Sequence, residues 1–198
     1  MELVCLDLEG VLIPEIWLGV AEKTGIEALR RTTRDEPDYS KLMRGRIEIL
    51  KSQGLSLGDI QEIIGSISPL PGALEFLEEL RSQTQVVILS DTFRQFASPF
   101  MRQLRWPTLF CNDLLVGEAG TIQDFRLRQA DGKRQAVLAF QSMGLRVTAA
   151  GDSYNDLSMI KVAHRGAFFR PPLSITKENP SIPVFEDYPQ FFSFLREL

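Results

Sequence analysis

With 198 residues the chain is long enough for one domain with a good core, or for a core domain carrying a modest insert. At 44% hydrophobic and 24% charged it reads as an ordinary soluble globular protein. A net charge of −4 gives no basic footprint for nucleic acid, no apolar run is long enough to cross a bilayer, and the N-terminus opens in a strand with no signal-peptide pattern; these features predict a cytoplasmic monomer or homodimer without nucleic-acid or membrane partners.

In chain order, residues 2–8 read as a strand. The apolar run Leu3–Leu6 suits a strand covered on both faces, and it ends in Asp7-Leu8-Glu9-Gly10. An acid at the end of such a run needs a pairing charge, hydrogen bonds or a metal. The carboxyl end of a parallel strand is also where open α/β sheets place their ligands. Pro14 then opens a helix at its first helical position, with an apolar stripe of Ile16, Trp17, Val20, Ala21 and Thr24 and a stop at Gly25. Residues 30–38 form a polar connection. A second helix covers 39–53 and stops at Gly54, a third covers 57–66, and Pro69 and Pro71 end the block. Residues 14–70 are thus a helical insert after the first strand.

Strand and helix then alternate. A helix is predicted over 72–82, a strand over 85–89 ending at Ser90, a helix over 93–104 and a short strand over 107–111. Residues 114–117 and 121–127 flank a turn and read as a hairpin. A helix over 133–143 with Asp131 as its cap precedes a strand over 146–150 that ends in Gly151-Asp152. A helix over 154–163, a strand over 166–169 and a terminal helix over 187–198 complete the chain. Repeated βα units predict a Rossmann-like three-layer α/β core with a mainly parallel sheet, formed by residues 1–13 and 71–198, plus a small helical cap of 14–70.

Three strands end in polar clusters: Asp7-Leu8-Glu9, Ser90-Asp91-Thr92, and Gly151-Asp152-Ser153-Tyr154-Asn155-Asp156. Each has a plain local explanation when taken alone. Ser90 and Thr92 suit a helix N-cap, and Ser153 with Asp156 suits a capping box. Lys133 fits less easily, because the helix macrodipole disfavours a cation in a first turn and a nearby anion explains it better. Brought to one sheet edge, Asp7, Glu9, Asp152 and Asp156 would crowd four carboxylates, which calls for a hard cation such as Mg2+. Ser90 and Lys133 add a hydroxyl and a positive charge for a phosphate. That set describes phosphoryl transfer through an aspartyl-phosphate. Cys5 and Cys111 read as buried thiols in a reducing compartment, and the single histidine, His164, argues against a histidine-ligated zinc or a Ser-His-Asp triad.

In order and spacing these elements resemble the haloacid dehalogenase-like phosphohydrolase superfamily, across most of the chain. The segments Cys-Leu-Asp-Leu-Glu-Gly-Val-Leu-Ile-Pro-Glu-Ile-Trp, Ile-Leu-Ser-Asp-Thr-Phe and Ala-Ala-Gly-Asp-Ser-Tyr-Asn-Asp are similar to those of phosphoserine phosphatases, and most of all to the bifunctional phosphoserine phosphatase/homoserine phosphotransferase group. The resemblance implies Asp7 as nucleophile and metal ligand, and Glu9 as general acid/base that gives its backbone carbonyl to the metal. It implies Asp152 as a further Mg2+ ligand supported by Asp156. Ser90 with its neighbours Asp91 and Thr92, together with Lys133 and Asn155, would bind the phosphoryl group of O-phosphoserine, with water or homoserine as acceptor. Two departures stand out. Glu9 occupies a position where the superfamily's phosphatases usually carry aspartate, and Asp91-Thr92 follow the serine where many phosphoserine phosphatases have glycines.

The second insert helix adds a reading of its own. At roughly 100° per residue, Tyr39, Leu42, Met43, Ile47, Ile49 and Leu50 make an apolar arc with Arg46 near its middle. An arginine there either snorkels to the edge, pairs within the protein, or meets a ligand anion, and its fork suits a carboxylate. The resemblance agrees with the last option and assigns Glu15 to the substrate ammonium, although an acid after Pro14 also suits a first helical turn.

Overall fold

The computed structural model describes residues 1–32, 35, 36 and 38–196. Of the predicted connection 30–38 and terminal helix 187–198, positions 33, 34, 37, 197 and 198 lie outside the described residues.

Strand β1 (Glu2–Leu6) is central. After it come α1 (Ile16–Thr24), a 3-10 turn at Glu27–Arg30, α2 (Tyr39–Ser52), α3 (Leu57–Gly65) and α4 (Ala73–Gln83). Then follow β2 (Gln85–Phe93), α5 (Arg94–Gln103), β3 (Thr108–Val116), β4 (Ile122–Arg126), α6 (Gly132–Ser142) and β5 (Arg146–Gly151). The chain continues through α7 (Leu157–Val162), β6 (Arg165–Phe169), α8 (Leu173–Glu178), β7 (Val184–Phe185) and α9 (Tyr188–Arg196).

Among the described residues the seven-stranded sheet has the order β4-β3-β2-β1-β5-β6-β7. Its pairings are parallel except for the β3–β4 hairpin. The period-2 alternation of β1 builds the layers. Val4 and Leu6 enter one apolar cluster with Phe76, Leu80 and Phe191 from α4 and α9, whereas Leu3 and Cys5 enter another with Val137 and Met159 from α6 and α7. The first cluster runs on without a break into the helices between β1 and β2, through Trp17, Met43, Ile47 and Ile64. The cap-like insert is therefore fastened to the sheet by shared core. It also leaves and re-enters at one place, since the Leu70 N–H donates to the Leu12 carbonyl at 2.9 Å.

Several boundaries differ from the sequence expectation, each for a local reason. The first helix starts at Ile16, because the backbone at Glu15, with ψ 115°, is still outside the helical region. Asp131 occupies the N-cap position of α6 but adopts positive φ and does not cap; its carboxylate instead accepts from Ser158 Oγ at 2.8 Å. Strand β2 runs past Ser90 to Phe93, and its register with β3 slips. Leu89 faces Phe110 and Phe93 faces Asn112, so four steps on β2 oppose two on β3. That bulge pushes Ser90-Asp91-Thr92 out of the ladder at its carboxyl end. Cys111 is half-buried rather than buried, while Cys5 is fully buried, as expected; both are free thiols. Helix α8 and strand β7 went unpredicted, being too short to show a period.

Candidate active site

Strand β1 stands where the sheet order reverses, with β2 on one side and β5 on the other. The crevice at the carboxyl ends of these strands is the usual ligand position of an open α/β sheet. Asp7 follows β1, Ser90 lies on the β2 bulge, and Asp152 follows β5. The sequence-predicted site residues, apart from Asp156, line one cavity of about 400 Å³ there.

Lys133 explains the convergence. Its ammonium is buried, 2.8 Å from Asp7 Oδ1, 2.6 Å from Asp156 Oδ1 and 3.7 Å from Asp91 Oδ2. The anions that its awkward helix position called for are these carboxylates. Burial works against the charge, but Asp156 and Asp7 outweigh it and hold the lysine pKa well above its ordinary value. Asp7 Oδ1 also accepts from the Leu8 N–H at 2.7 Å, so both contacts fall on one oxygen. Asp156 is fully buried: Oδ2 accepts from the Asp152 and Ser153 N–H groups at 3.0 Å each and Oδ1 takes Lys133. The predicted Ser153–Asp156 capping box is formed. With both oxygens engaged, Asp156 braces the site.

Asp7, Asp152 and Asp156 each offer a carboxylate oxygen, and these atoms lie within 4.8 Å of one another. Lys133 is in ion-pair distance of Asp7 and Asp156 but not of Asp152. Burial first, then the neighbouring carboxylates, raises Asp7 well above its usual range and Asp152 to about 7. Hard oxygen donors with too little positive charge around them fit a divalent metal. Two glycines leave room for this arrangement. A Cβ on Gly10, whose φ is +75°, would stand 2.4 Å from the Asp152 carboxylate, and one on Gly151 would stand 2.1 Å from that of Asp156.

The expectation of four crowded carboxylates needs correction. The Glu9 side chain is not in the cluster; its Oε2 accepts from the Ile16 N–H at 2.8 Å and so caps α1. The local signal was the helix start itself, since neither Pro14 nor Glu15 supplies a side-chain cap. Burial first, and then Glu15 beside it, raises Glu9 to about 8. Glu15 itself is exposed to the cavity.

Across the cavity, Arg46 does not snorkel. It is 8% exposed, with Cζ 4.6 Å above the Trp17 ring, one Nη donating to the Arg31 carbonyl and the other 3.6 Å from Met43 Sδ. Its Nε is buried without a partner, and among the described residues no carboxylate is within ion-pair distance. Desolvation lowers its pKa to about 10 against the pull of Glu9. Ser90 Oγ accepts from the Thr92 N–H at 3.2 Å, which leaves its own proton to donate into the cavity. Asn155 Nδ2 donates to Asp91 Oδ2 at 2.9 Å. Sequence reasoning missed Asn112 and the role of Trp17. Asn112 Nδ2 and Tyr39 OH both donate to the Asp91 carbonyl at 2.9 Å. The polar pair Asn112-Asp113 within an otherwise apolar strand was the available sign for Asn112; nothing in the spacing marked Trp17 as a platform for Arg46.

Comparison with known proteins fits this geometry. The family model for haloacid dehalogenase-like hydrolases matches residues 1–164, and the chain belongs to that family. It is 54% identical over 188 residues, 95% of this chain and 92% of the relative, to a protein named phosphoserine phosphatase ThrH from Pseudomonas aeruginosa. It is 53% identical to a phosphoserine phosphatase from Pseudomonas syringae pv. tomato, over 95% of this chain and 79% of that one. In fold it is similar to a substrate-bound phosphoserine phosphatase complex, with a TM-score of 0.80 and 22% identity over 98% of this chain and 97% of the other.

Proposed function

We propose that this hydrolase is a Mg2+-dependent phosphoserine phosphatase that works through an aspartyl-phosphate on Asp7, with homoserine as an alternative acceptor to water. The observation that carries the substrate class is Arg46. A buried guanidinium with an unpartnered Nε and, among the described residues, no carboxylate partner faces the same cavity as Asp7, Ser90 and Lys133. Such a cation calls for a ligand anion, and with Glu15 lining the same cavity for an ammonium the cavity suits an amino acid that carries a phosphate.

In this reading Arg46 takes the substrate carboxylate, Glu15 the ammonium, and Ser90, Lys133 and Asn155 the phosphoryl oxygens, with the Asp91-Thr92 bulge shaping the pocket. The Asp7 oxygen not held by Lys133 and Leu8 attacks phosphorus as the bond to the serine oxygen breaks. Glu9, kept protonated near neutral pH by burial, gives its proton to the departing oxygen. Glu9 then accepts a proton from water, whose oxygen displaces Asp7 and releases phosphate; homoserine hydroxyl in place of water gives transfer. Asp7, Asp152 and the Glu9 carbonyl would hold Mg2+, with Asp156 in support, and the ion supplies positive charge against the carboxylates and the phosphoryl group.

In this reading residues 14–70 are a cap over a core of 1–13 and 71–198, supported by the Leu70–Leu12 contact where the two meet. The protein is then a cytoplasmic monomer or homodimer, which suits its free thiols; no helix among the described residues is long and apolar enough to cross a membrane. Phosphate release from O-phosphoserine with Mg2+, with and without homoserine, tests the reading in wild type and Asp7→Asn. Activity lost in the variant is expected. Full activity there would sink the mechanism, and turnover of sugar phosphates but not O-phosphoserine would sink the substrate.

A further inference from the structure

Asp91 sits where a phosphoryl-binding site would be expected to avoid a carboxylate. Its backbone is pinned by Tyr39 OH and Asn112 Nδ2, each 2.9 Å from its carbonyl oxygen. Its side chain lines the cavity and is 42% exposed, with Oδ2 2.9 Å from Asn155 Nδ2 and 3.7 Å from Lys133 Nζ. These are two of the donors that the proposed mechanism gives to the phosphoryl group. A carboxylate oxygen that collects the same donors stands on the ground of a phosphoryl oxygen, and Asp7, Asp152 and Asp156 already crowd negative charge around Lys133. Any phosphate that enters must displace Asp91 from Asn155 or accept its charge at close range. Like charges at that separation repel, and the half-exposed position screens but does not remove the effect.

We propose that Asp91 competes with phosphate for Asn155 and Lys133 and so sets how tightly the phosphoryl group is held. Ligands that offer only a phosphate are thereby held weakly. An amino-acid phosphate overcomes the competition through Arg46 and Glu15, and inorganic phosphate, which lacks those contacts, leaves readily. This rests on the phosphoserine phosphatase reading. The alternative, that Asp91 only positions Asn155, predicts no gain when the charge alone is removed and weaker binding when the acceptor is lost.

The test is calorimetric titration of inorganic phosphate into Mg2+-loaded wild type, Asp91→Asn and Asp91→Ser. Asparagine keeps an acceptor for Asn155 without the charge, and serine removes both. Phosphate is expected to bind both variants about tenfold more tightly, with the gain shrinking as salt is added. kcat/KM for O-phosphoserine and for p-nitrophenyl phosphate is expected to rise by similar factors, because the competition falls on the phosphate that both carry. Unchanged or weaker phosphate binding in Asp91→Asn overturns the proposal, and wild-type binding there with weaker binding in Asp91→Ser makes Asp91 a holder of Asn155. Because the titration needs no turnover, tighter binding in the variants of a protein inactive on O-phosphoserine would leave the competition standing and remove only the substrate. Active wild type with unmoved affinities would remove only the competition.

Discussion

Glu9 carries two jobs that substitution can separate. Its Oε2 is 2.8 Å from the Ile16 N–H at the start of α1, and its proton serves the leaving group in the proposed reaction. In Glu9→Asp the carboxyl withdraws by roughly one bond length, about 1.5 Å. The contact then exceeds hydrogen-bond range, and the first N–H of α1 loses its partner in a part-buried position. The loss of such a cap costs about 1 kcal/mol, which for a chain of this size lowers the melting temperature by about 2–4 °C. Glu9→Gln keeps a carbonyl acceptor for Ile16 but cannot release a proton. It is expected to melt within about 1 °C of wild type, or above it because a buried acid is gone, while kcat falls roughly 10²–10⁴-fold. Thermal melts of the metal-free proteins and parallel assays of phosphate release and homoserine phosphorylation give the readout, with Glu9→Asp expected to shift the balance toward hydrolysis. If Glu9→Asp melts with wild type and its transfer-to-hydrolysis ratio is unmoved, the coupling of this side chain to α1 is wrong. Retained kcat in Glu9→Gln would falsify its role as proton donor.

Arg46→Ala is expected to raise KM for O-phosphoserine by at least about 30-fold, with less change for p-nitrophenyl phosphate, since it removes a buried carboxylate partner; equal effects on both substrates would refute the carboxylate contact. Trp17→Leu, which takes away the ring under the guanidinium, should move KM in the same direction by several-fold with kcat nearly kept. In Gly10→Ala the new methyl stands 2.4 Å from the Asp152 carboxylate on a backbone at φ +75°, so the Mg2+ concentration for half-maximal activity should rise by roughly tenfold or more; an unchanged Mg2+ titration counts against Asp152 as a ligand. In metal-free protein Glu9 titrates near 8 and Asp152 near 7, both raised first by burial. The fold therefore keeps protons that the unfolded chain gives up near pH 4, and melting temperature should fall by roughly 5 °C or more between pH 5 and 8. Added Mg2+ should restore more stability at pH 8 than at pH 5, and a flat profile without metal would contradict the buried charge imbalance.

Local pattern was enough to make the parallel sheet, the helical insert and the three acid-bearing strand ends legible. Leu3–Leu6 is a continuous apolar run that suits a strand covered on both faces, and turn glycines such as Gly25 and Gly54 take positive φ where the helical periods stop. Lys133 was readable because a cation in a first helical turn conflicts with the macrodipole, and two carboxylates resolve the conflict. Tertiary structure decided the rest. Glu9 and Asp7 are two residues apart, yet one carboxylate turns to α1 and the other to Lys133, because the separation depends on where a later helix begins. The β2 bulge that presents Ser90 to Thr92 arises from register with β3, a pairing no window of sequence contains. Arg46 has the period of a core residue whether it pairs, snorkels or waits for a ligand. Only the packing of Trp17 beneath it, and the absence of a carboxylate among the described residues around it, separates those outcomes.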